Sequence, residues 1–185
     1  MQRRKFLATA TIATTTLATS AKESSKKNSD KKGFIVKNGE ARFVEHTPMG
    51  INPNDTKISS KDTDGMLSVF EYMGKQKIGP PLHLHFDQDE IFYVVEGEYL
   101  FQLDQEQSIL KAGDTIFLPR KISHTWVQLS DSGKLIYLLQ PAGKFEEFFQ
   151  KFSAMTTREL PPMDEMQKFF MAHGMKIVGP PLSAK

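Results

Sequence analysis

Three of the five histidines in this sequence stand near one acidic residue in a pattern that could bind a metal ion. His83 and His85 are two positions apart, which on a β-strand places their side chains on the same face, about 7 Å from each other. Glu90 follows after a short bend and can bring a carboxylate to the same point from a neighbouring strand. His124 offers a fourth ligand. Imidazoles and a carboxylate together suit a divalent first-row metal.

Composition limits the chemistry that is available to the chain. There is no cysteine, which excludes disulfides, thiolate zinc sites and a cysteine nucleophile. The 185 residues fit one domain, and 39% hydrophobic with 25% charged residues indicate a globular protein rather than a disordered chain or a membrane bundle. The net charge of +2 is positive only because the first 32 residues hold eight basic and two acidic residues. The rest of the chain is acidic on balance, which argues against a nucleic-acid partner.

The residues around the histidines are typical of an antiparallel β protein. From residue 34 to residue 140, apolar residues come in short runs separated by Gly, Pro, Asn and Asp. Glu96, Gly97 and Glu98 predict a tight hairpin, and Lys111 to Asp114 predict another turn. The predicted strands are Phe34 to Val36, Ala41 to Glu45, Met66 to Met73, Leu82 to His85, Ile91 to Val95, Tyr99 to Leu103, Ser108 to Leu110, Thr115 to Leu118, Thr125 to Leu129 and Leu135 to Leu139.

A second motif positions His124. Gly113 opens this motif, Pro119 follows within it, and His124 begins the next strand. Alternation along that strand puts His124, Trp126 and Gln128 on one face. The histidines outside the two motifs are expected to be ordinary surface or hydrogen-bonded residues: His46 and His173.

After Pro141 the apolar residues change to the period of helices. Two segments carry large side chains at positions i, i+3, i+4 and i+7; Pro161 and Pro162 open the second segment, and Gly174 can end it. These stripes are interpreted as packing surface against the sheet, and a subunit interface or a lid over a pocket are the alternatives. The stripe residues are Phe145, Phe148, Phe149 and Phe152 in the first helix, and Met166, Phe169, Phe170 and His173 in the second.

The two motifs resemble those of the cupin superfamily, a His-x-His-x(3,4)-Glu-x(6)-Gly stretch followed by a Gly-x(5)-Pro-x(4)-His stretch. The resemblance implies an all-β fold, a jelly-roll type antiparallel barrel at residues 33–141, followed by a C-terminal helical extension at residues 142–185. Three positions depart from the usual pattern without removing a ligand: Lys77, Lys121 and Gln128. The metal ligands that the resemblance implies are His83, His85, Glu90 and His124.

Inward positions of the predicted strands form the candidate substrate pocket. Most of them are apolar, which suits an aromatic or weakly charged ligand. The same side chains could instead fill the barrel as core, and both interpretations stay open. The predicted pocket residues are Phe92, Val94, Tyr99, Phe101, Trp126 and Gln128.

Small exported cupins with this ligand set and a Phe-rich helical tail resemble quercetin 2,3-dioxygenases. That resemblance implies ring-opening of a flavonol-like, enolic small molecule with dioxygen, with Glu90 as both metal ligand and catalytic base. The divalent transition metal would be Fe, Mn, Ni, Co, Cu or Zn, because imidazole and carboxylate ligands accept all of them. Two alternatives stay open: a metal-dependent isomerase or lyase for a sugar or keto acid, and a periplasmic cupin that binds a small molecule without catalysis.

The first 21 residues predict an export signal. Arg3, Arg4 and Lys5 precede an uncharged Thr- and Ala-rich stretch, which resembles a twin-arginine signal and implies a periplasmic or secreted protein. An ordinary secretory signal or an uncleaved anchor is the alternative. Residues 22–32 predict a disordered Lys/Ser-rich linker, since they offer no apolar side chain to bury. We expect no stable membrane insertion after cleavage, and the resemblance to cupins implies a homodimer that pairs through edge strands.

Overall fold

The computed structural model describes residues 31–155 and 160–184, and Ile35–Lys185 form one compact unit. The export signal predicted at residues 1–21 and nearly all of the linker predicted at residues 22–32 lie outside the described residues. Within the described ranges, no helix combines the length and the apolar character that crossing a membrane requires.

The described chain is a run of β-strands with two helices near its end. The last strand of the described residues, β10 (Met175–Pro181), follows the second helix. The elements in chain order are β1 (Asn54–Ile58), β2 (Ser68–Gly74), β3 (Pro81–His85), β4 (Asp89–Glu96), β5 (Glu98–Leu103), β6 (Glu106–Lys111), β7 (Thr115–Leu118), β8 (His124–Gln128), β9 (Gly133–Gln140), α1 (Phe145–Met155), α2 (Met163–Ala172) and β10 (Met175–Pro181).

Two five-stranded antiparallel sheets enclose the hydrophobic core. The first sheet has the order β1-β2-β9-β4-β7 and the second has the order β10-β3-β8-β5-β6. Strand alternation sends every second side chain inward, so Phe70 and Tyr72 of the first sheet are buried in the same core as Tyr99 and Phe101 of the second. This architecture confirms the predicted all-β jelly-roll fold with helices at its C-terminal end.

Eight of the predicted strands are present, and two are wrong. Phe34 to Val36 and Ala41 to Glu45 are loops rather than strands. Their apolar side chains do not enter the core, since Ile35 and Val44 are almost fully exposed. The first strand is instead the polar stretch β1. The hydrophobic pattern did not predict β1, because this strand forms by pairing with β2 and has no alternation of apolar residues.

The tight hairpin predicted at Glu96, Gly97 and Glu98 is also wrong. The chain turns sharply there, with a φ of 89° at Gly97, but β4 and β5 belong to different sheets. A Cβ atom on Gly97 would lie 2.4 Å from the Ser130 hydroxyl, so only glycine fits this crossing. The predicted turn from Lys111 to Asp114 is present and likewise leads from one sheet to the other.

The segment after the barrel returns to it. Both predicted helices are present, and β10 then adds to the edge of the second sheet, with Met175 opposite His85 and Ile177 opposite His83. Sequence patterns did not indicate β10, because its Gly-Pro-Pro end resembles a loop and proline is tolerated only at a sheet edge.

A half-buried carboxylate attaches α1 to the barrel. Glu146 accepts hydrogen bonds from the hydroxyls of Ser59 and Ser68, both at 2.7 Å, and from the backbone N–H of Ser60 at 2.5 Å. Burial alone would raise the pKa of Glu146, but these hydrogen bonds outweigh it and the pKa lies below its usual value. The first turn of α1 is therefore held against the loop after β1 and the start of β2.

Candidate metal centre

Strand geometry brings four predicted ligands together between the two sheets. His83 and His85 point inward from β3, and His124 begins β8 directly opposite His83. Glu90 comes from β4 in the other sheet. One ligand atom from each of the four side chains lies within 4.8 Å of the others, and all four residues are buried. Three imidazoles from one sheet therefore face one carboxylate from the other.

Backbone carbonyls orient two of the imidazoles. The Nδ1 atom of His83 lies 2.8 Å from the Pro81 carbonyl, and the Nδ1 atom of His124 lies 3.1 Å from the Ile122 carbonyl. A carbonyl only accepts, so Nδ1 carries the proton in each ring, and the assignment leaves the lone pair on Nε2. A metal-binding imidazole is usually oriented in this way by its second nitrogen.

Three nitrogens of the cluster have no hydrogen-bond partner among the described residues: Nδ1 and Nε2 of His85, and Nε2 of His124. Glu90 Oε2 lies 3.2 Å from His124 Nε2 and 3.5 Å from His85 Nε2. Neither contact has the geometry of a hydrogen bond, so both Nε2 atoms are without a hydrogen-bond partner among the described residues. Buried polar atoms are nearly always satisfied. A cation between them would satisfy both nitrogens and the carboxylate, so the four residues fit a divalent metal.

Charge at the cluster favours the metal-binding protonation states. Burial, together with the imidazoles of His124 and His85, holds the pKa of His83 well below its usual value, which keeps this ring neutral. Burial alone would raise the pKa of Glu90, but the neighbouring imidazoles of His124 and His85 outweigh it and bring the pKa to about 2. A neutral imidazole and an ionised carboxylate are the forms that bind metals.

Sequence comparisons identify the family. The profile of the cupin domain matches residues 69–139, which include all four residues of the cluster. The pectin degradation protein KdgF of Dickeya dadantii is 32% identical over 79 residues, which cover 43% of this chain and 71% of that protein. The chain belongs to the cupin superfamily.

Two further similarities describe this cupin. The quercetin 2,3-dioxygenase of Bacillus subtilis is 30% identical over 92 residues, covering 50% of the cupin but only 27% of the enzyme, so the cupin spans about a quarter of that relative's length. The structure of KdgF from Halomonas sp. superposes with a TM-score of 0.52 at 22% identity, covering 60% of this chain and 94% of that one. That structural likeness shows the shared fold.

Aromatic rings from the C-terminal helices cover the cluster in this cupin. The Phe145 ring of α1 lies 5.3 Å from the His85 ring, and the Phe170 ring of α2 lies 6.0 Å from the His83 ring. Phe148 joins the two helices, since its ring lies 5.5 Å from Phe145 and 5.1 Å from Phe170. The aromatic stripes thus pack on the barrel, as predicted, and they also reach the candidate ligands. The stripe spacing indicates packing against the sheet, and it gave no signal that Phe145 and Phe170 lie beside the candidate ligands.

The predicted pocket residues are packed against one another inside the barrel. The Phe92 ring lies 5.3 Å from Phe101 and 6.3 Å from Trp126, and all three side chains are buried in the core, as are Val94 and Tyr99. The structure therefore places them as core residues, the second of the two interpretations, and their contact with a substrate stays a prediction.

Gln128 and the two remaining histidines have structural partners. Gln128 is fully buried, donates to the Ser130 carbonyl at 2.9 Å and accepts from the Tyr99 hydroxyl at 3.5 Å. His173 ends α2 and bonds the Phe169 carbonyl through Nδ1 at 2.7 Å. His46 pairs with Asp55 at 2.8 Å and is largely exposed. These side chains lie outside the four-residue cluster.

Arg120 stands beside the candidate ligands. Its guanidinium makes two hydrogen bonds to Asp89, the residue before Glu90, at 3.0 and 2.7 Å. Hydrogen bonds from the side chain and the backbone of Arg120 lower the pKa of Asp89 to about 2. No local sequence pattern indicates this pair, because Asp89 lies 31 positions before Arg120 in the chain.

Proposed function

We propose that this cupin binds one divalent transition metal through His83, His85, Glu90 and His124, and that it is a metal-dependent dioxygenase that opens the ring of an enolic, flavonol-like substrate. The observation that carries the proposal is the set of four ligand atoms of buried residues within 4.8 Å of one another, two of which are nitrogens with no hydrogen-bond partner among the described residues. When bound, such a metal supplies open positions for oxygen donors and makes a coordinated hydroxyl more acidic.

Glu90 has two roles in this proposal. As a ligand, it contributes the only carboxylate of the cluster, and its pKa of about 2 keeps it ionised at neutral pH. As a base, it can accept the hydroxyl proton of an enolic substrate. Because a carboxylate with so low a pKa holds a proton weakly, this second role requires a substrate hydroxyl that is already acidic.

The aromatic cover favours an aromatic, weakly charged substrate. Phe145 and Phe170 present phenyl rings next to the imidazoles of His85 and His83, so that a ligand beside the cluster would contact apolar surface. Phenyl rings also exclude water, which strengthens charge interactions inside a closed site. The similarity to the quercetin 2,3-dioxygenase of Bacillus subtilis supports the same substrate class.

A metal-dependent isomerase or lyase for a sugar or keto acid is the second candidate. The similarity to a pectin degradation protein, of which the chain covers 71%, favours it. An anionic substrate of this kind would need a cation at the site to bind its carboxylate. Arg120 lies four positions before His124, and its guanidinium is already paired with Asp89. Because this cation is engaged with another carboxylate, the structure favours the dioxygenase over an enzyme for an anionic substrate. For either candidate we propose a periplasmic or extracellular location, on the basis of the export signal predicted at residues 1–21.

Oxygen uptake separates the candidates. The chain is loaded with Fe, Mn, Co or Ni and mixed with flavonols or simple enediols, and dioxygen loss is followed with an electrode. We expect uptake by the wild-type protein and by His46→Ala, an exposed-histidine control, and no uptake by Glu90→Gln. Anaerobic conversion of a sugar or keto acid without oxygen uptake would replace the dioxygenase by the isomerase or lyase. Tight ligand binding without either reaction would mean a binding protein.

A further inference from the structure

One ion pair links the strand of Glu90 to the loop that precedes His124. Asp89 is the first residue of β4, and Arg120 lies in the loop between β7 and β8. The guanidinium binds both carboxylate oxygens of Asp89, at 3.0 and 2.7 Å, and the backbone N–H of Arg120 donates to the same carboxylate at 2.9 Å. A third guanidinium contact, at 3.4 Å, reaches the Gln140 carbonyl on β9.

The next residues of the same loop contact the imidazole ligands. The backbone N–H of Lys121 donates to the His85 carbonyl at 2.7 Å, and the Ile122 carbonyl binds Nδ1 of His124 at 3.1 Å. The loop therefore bridges β3 and β4 and orients His124 through its own backbone. A displacement of the loop would move His124 relative to both Glu90 and His85.

Backbone strain increases the need for such an anchor. Lys121 has a φ of 67°, in the left-handed region that side chains other than glycine seldom adopt. A strained residue keeps its conformation only when the surrounding contacts hold it there. The contacts next to Lys121 in this loop include the Arg120 guanidinium on Asp89 and the Ile122 carbonyl on His124.

Stability alone does not explain this pair. The Arg120 and Asp89 side chains are 42% and 27% exposed, and most ion pairs open to solvent contribute little to folding, with two-pronged pairs at the upper end of the range. A two-pronged guanidinium contact does, however, fix orientation, because it allows only one arrangement of the two planar groups.

We propose that Asp89 and Arg120 are positioning residues of the metal centre, which set the separation of Glu90 and His124 and so the affinity for the metal. This inference rests on the metal site proposed above. The pair acts through the ligands and does not itself contact the metal.

Cobalt binding tests the inference. The full chain and the variants Arg120→Gln, Arg120→Lys and Asp89→Asn are titrated with Co²⁺, and the affinity and the visible absorption of the bound ion are recorded. Loss of a residue that orients a metal ligand weakens binding by about 10- to 100-fold. We expect that loss in all three variants, with a changed cobalt spectrum. Arg120→Lys should resemble Arg120→Gln, since lysine keeps the charge but not the two-pronged contact.

Arg42→Gln is the matched control. Arg42 also binds a carboxylate through two nitrogens, with Asp62 at 3.0 and 2.8 Å, but this pair joins the loops on either side of β1. We expect Arg42→Gln to bind cobalt as the wild type does, and urea unfolding of the metal-free proteins to place the Arg120 variants within the range of this control.

Two results would overturn the inference in distinguishable ways. Wild-type affinity and spectrum in Arg120→Gln and Asp89→Asn, while His124→Ala has lost the metal, would refute the positioning role and leave the metal site intact. Failure of the wild-type protein itself to bind cobalt would remove the metal site and the positioning role together.

Discussion

Removal of the Glu146 carboxylate should loosen the cover of the metal centre. Three donors converge on it, and two of them come from fully buried serines, Ser59 and Ser68, that would lose this charged acceptor. Each hydrogen bond to a charged group is worth about 1.5–3 kcal/mol, but the bonds share one half-buried acceptor and do not add fully. We therefore expect Glu146→Ala to lower the free energy of unfolding by about 3 kcal/mol, and Glu146→Gln by about half as much.

Urea unfolding measures this loss, and the next residue supplies the control. Glu147 lies on the same turn, but its carboxylate is exposed. Its one ion pair within the described residues is with Lys151. Glu147→Ala should unfold at the wild-type midpoint. Equal midpoints for Glu146→Ala and Glu147→Ala would refute the reasoning, because they would show that the serine contacts do not hold α1.

The pH dependence gives the same prediction an independent check. The folded state lowers the pKa of Glu146, so its contribution is fully present above the unfolded value of about 4.5 and is lost as the pH falls through the folded value. The difference in free energy of unfolding between the wild-type protein and Glu146→Gln should therefore shrink below pH 4.5. If this difference stayed constant from pH 7 to pH 3, an ionised Glu146 carboxylate would not be what holds α1.

Three further outcomes follow from the same contacts. Burial lowers the pKa of His83, so the unfolded chain takes up a proton on this ring before the folded protein does. The free energy of unfolding of the metal-free protein should therefore fall below pH 6.5, by at most about 1.4 kcal/mol per pH unit for this one proton. Chemical unfolding of His83→Gln should show a weaker dependence on pH. Phe145→Ala should cost about 3–5 kcal/mol in the same assay and Phe145→Leu clearly less, since the ring is buried against His85. Gly143→Ala should lower the free energy of unfolding by about 1–3 kcal/mol, because φ at Gly143 is 55° and the new Cβ would lie 1.7 Å from the Gln88 amide. Adding Gln88→Ala to this variant should restore the part of the loss that comes from the clash. If nothing is restored, the loss comes from the backbone conformation alone.

The sequence was most informative where chemistry and strand alternation coincide. His83 and His85 are two positions apart on one strand, so their common face follows from the backbone period, and the spacing to Glu90 and His124 matched a family pattern. The structure brings these four residues together as that pattern implied. Eight of the strands and both helices could be predicted for the same reason, since apolar period determines which face is buried, whereas the jelly-roll architecture was implied by the resemblance to cupins.

The missed features depend on contacts between distant parts of the chain. β1 is polar and exists because β2 pairs with it, while β10 exists because β3 has a free edge. The hairpin predicted at Gly97 was wrong because local turn chemistry does not tell a hairpin from a crossing between sheets. Arg120 and Phe145 reach the site through such contacts as well, so their role became visible only in the folded chain.

Metal content and coordination of the purified protein test the central claim most directly. The full chain is purified without added metal, analysed for its elements, and examined by X-ray absorption at the edge of the metal found. We predict one divalent transition metal per chain, bound by three imidazole nitrogens and one carboxylate oxygen, and its loss in His85→Ala but not in His46→Ala. A protein without stoichiometric metal, or one that keeps its metal after His83, His85 and His124 are all replaced by alanine, would contradict the account.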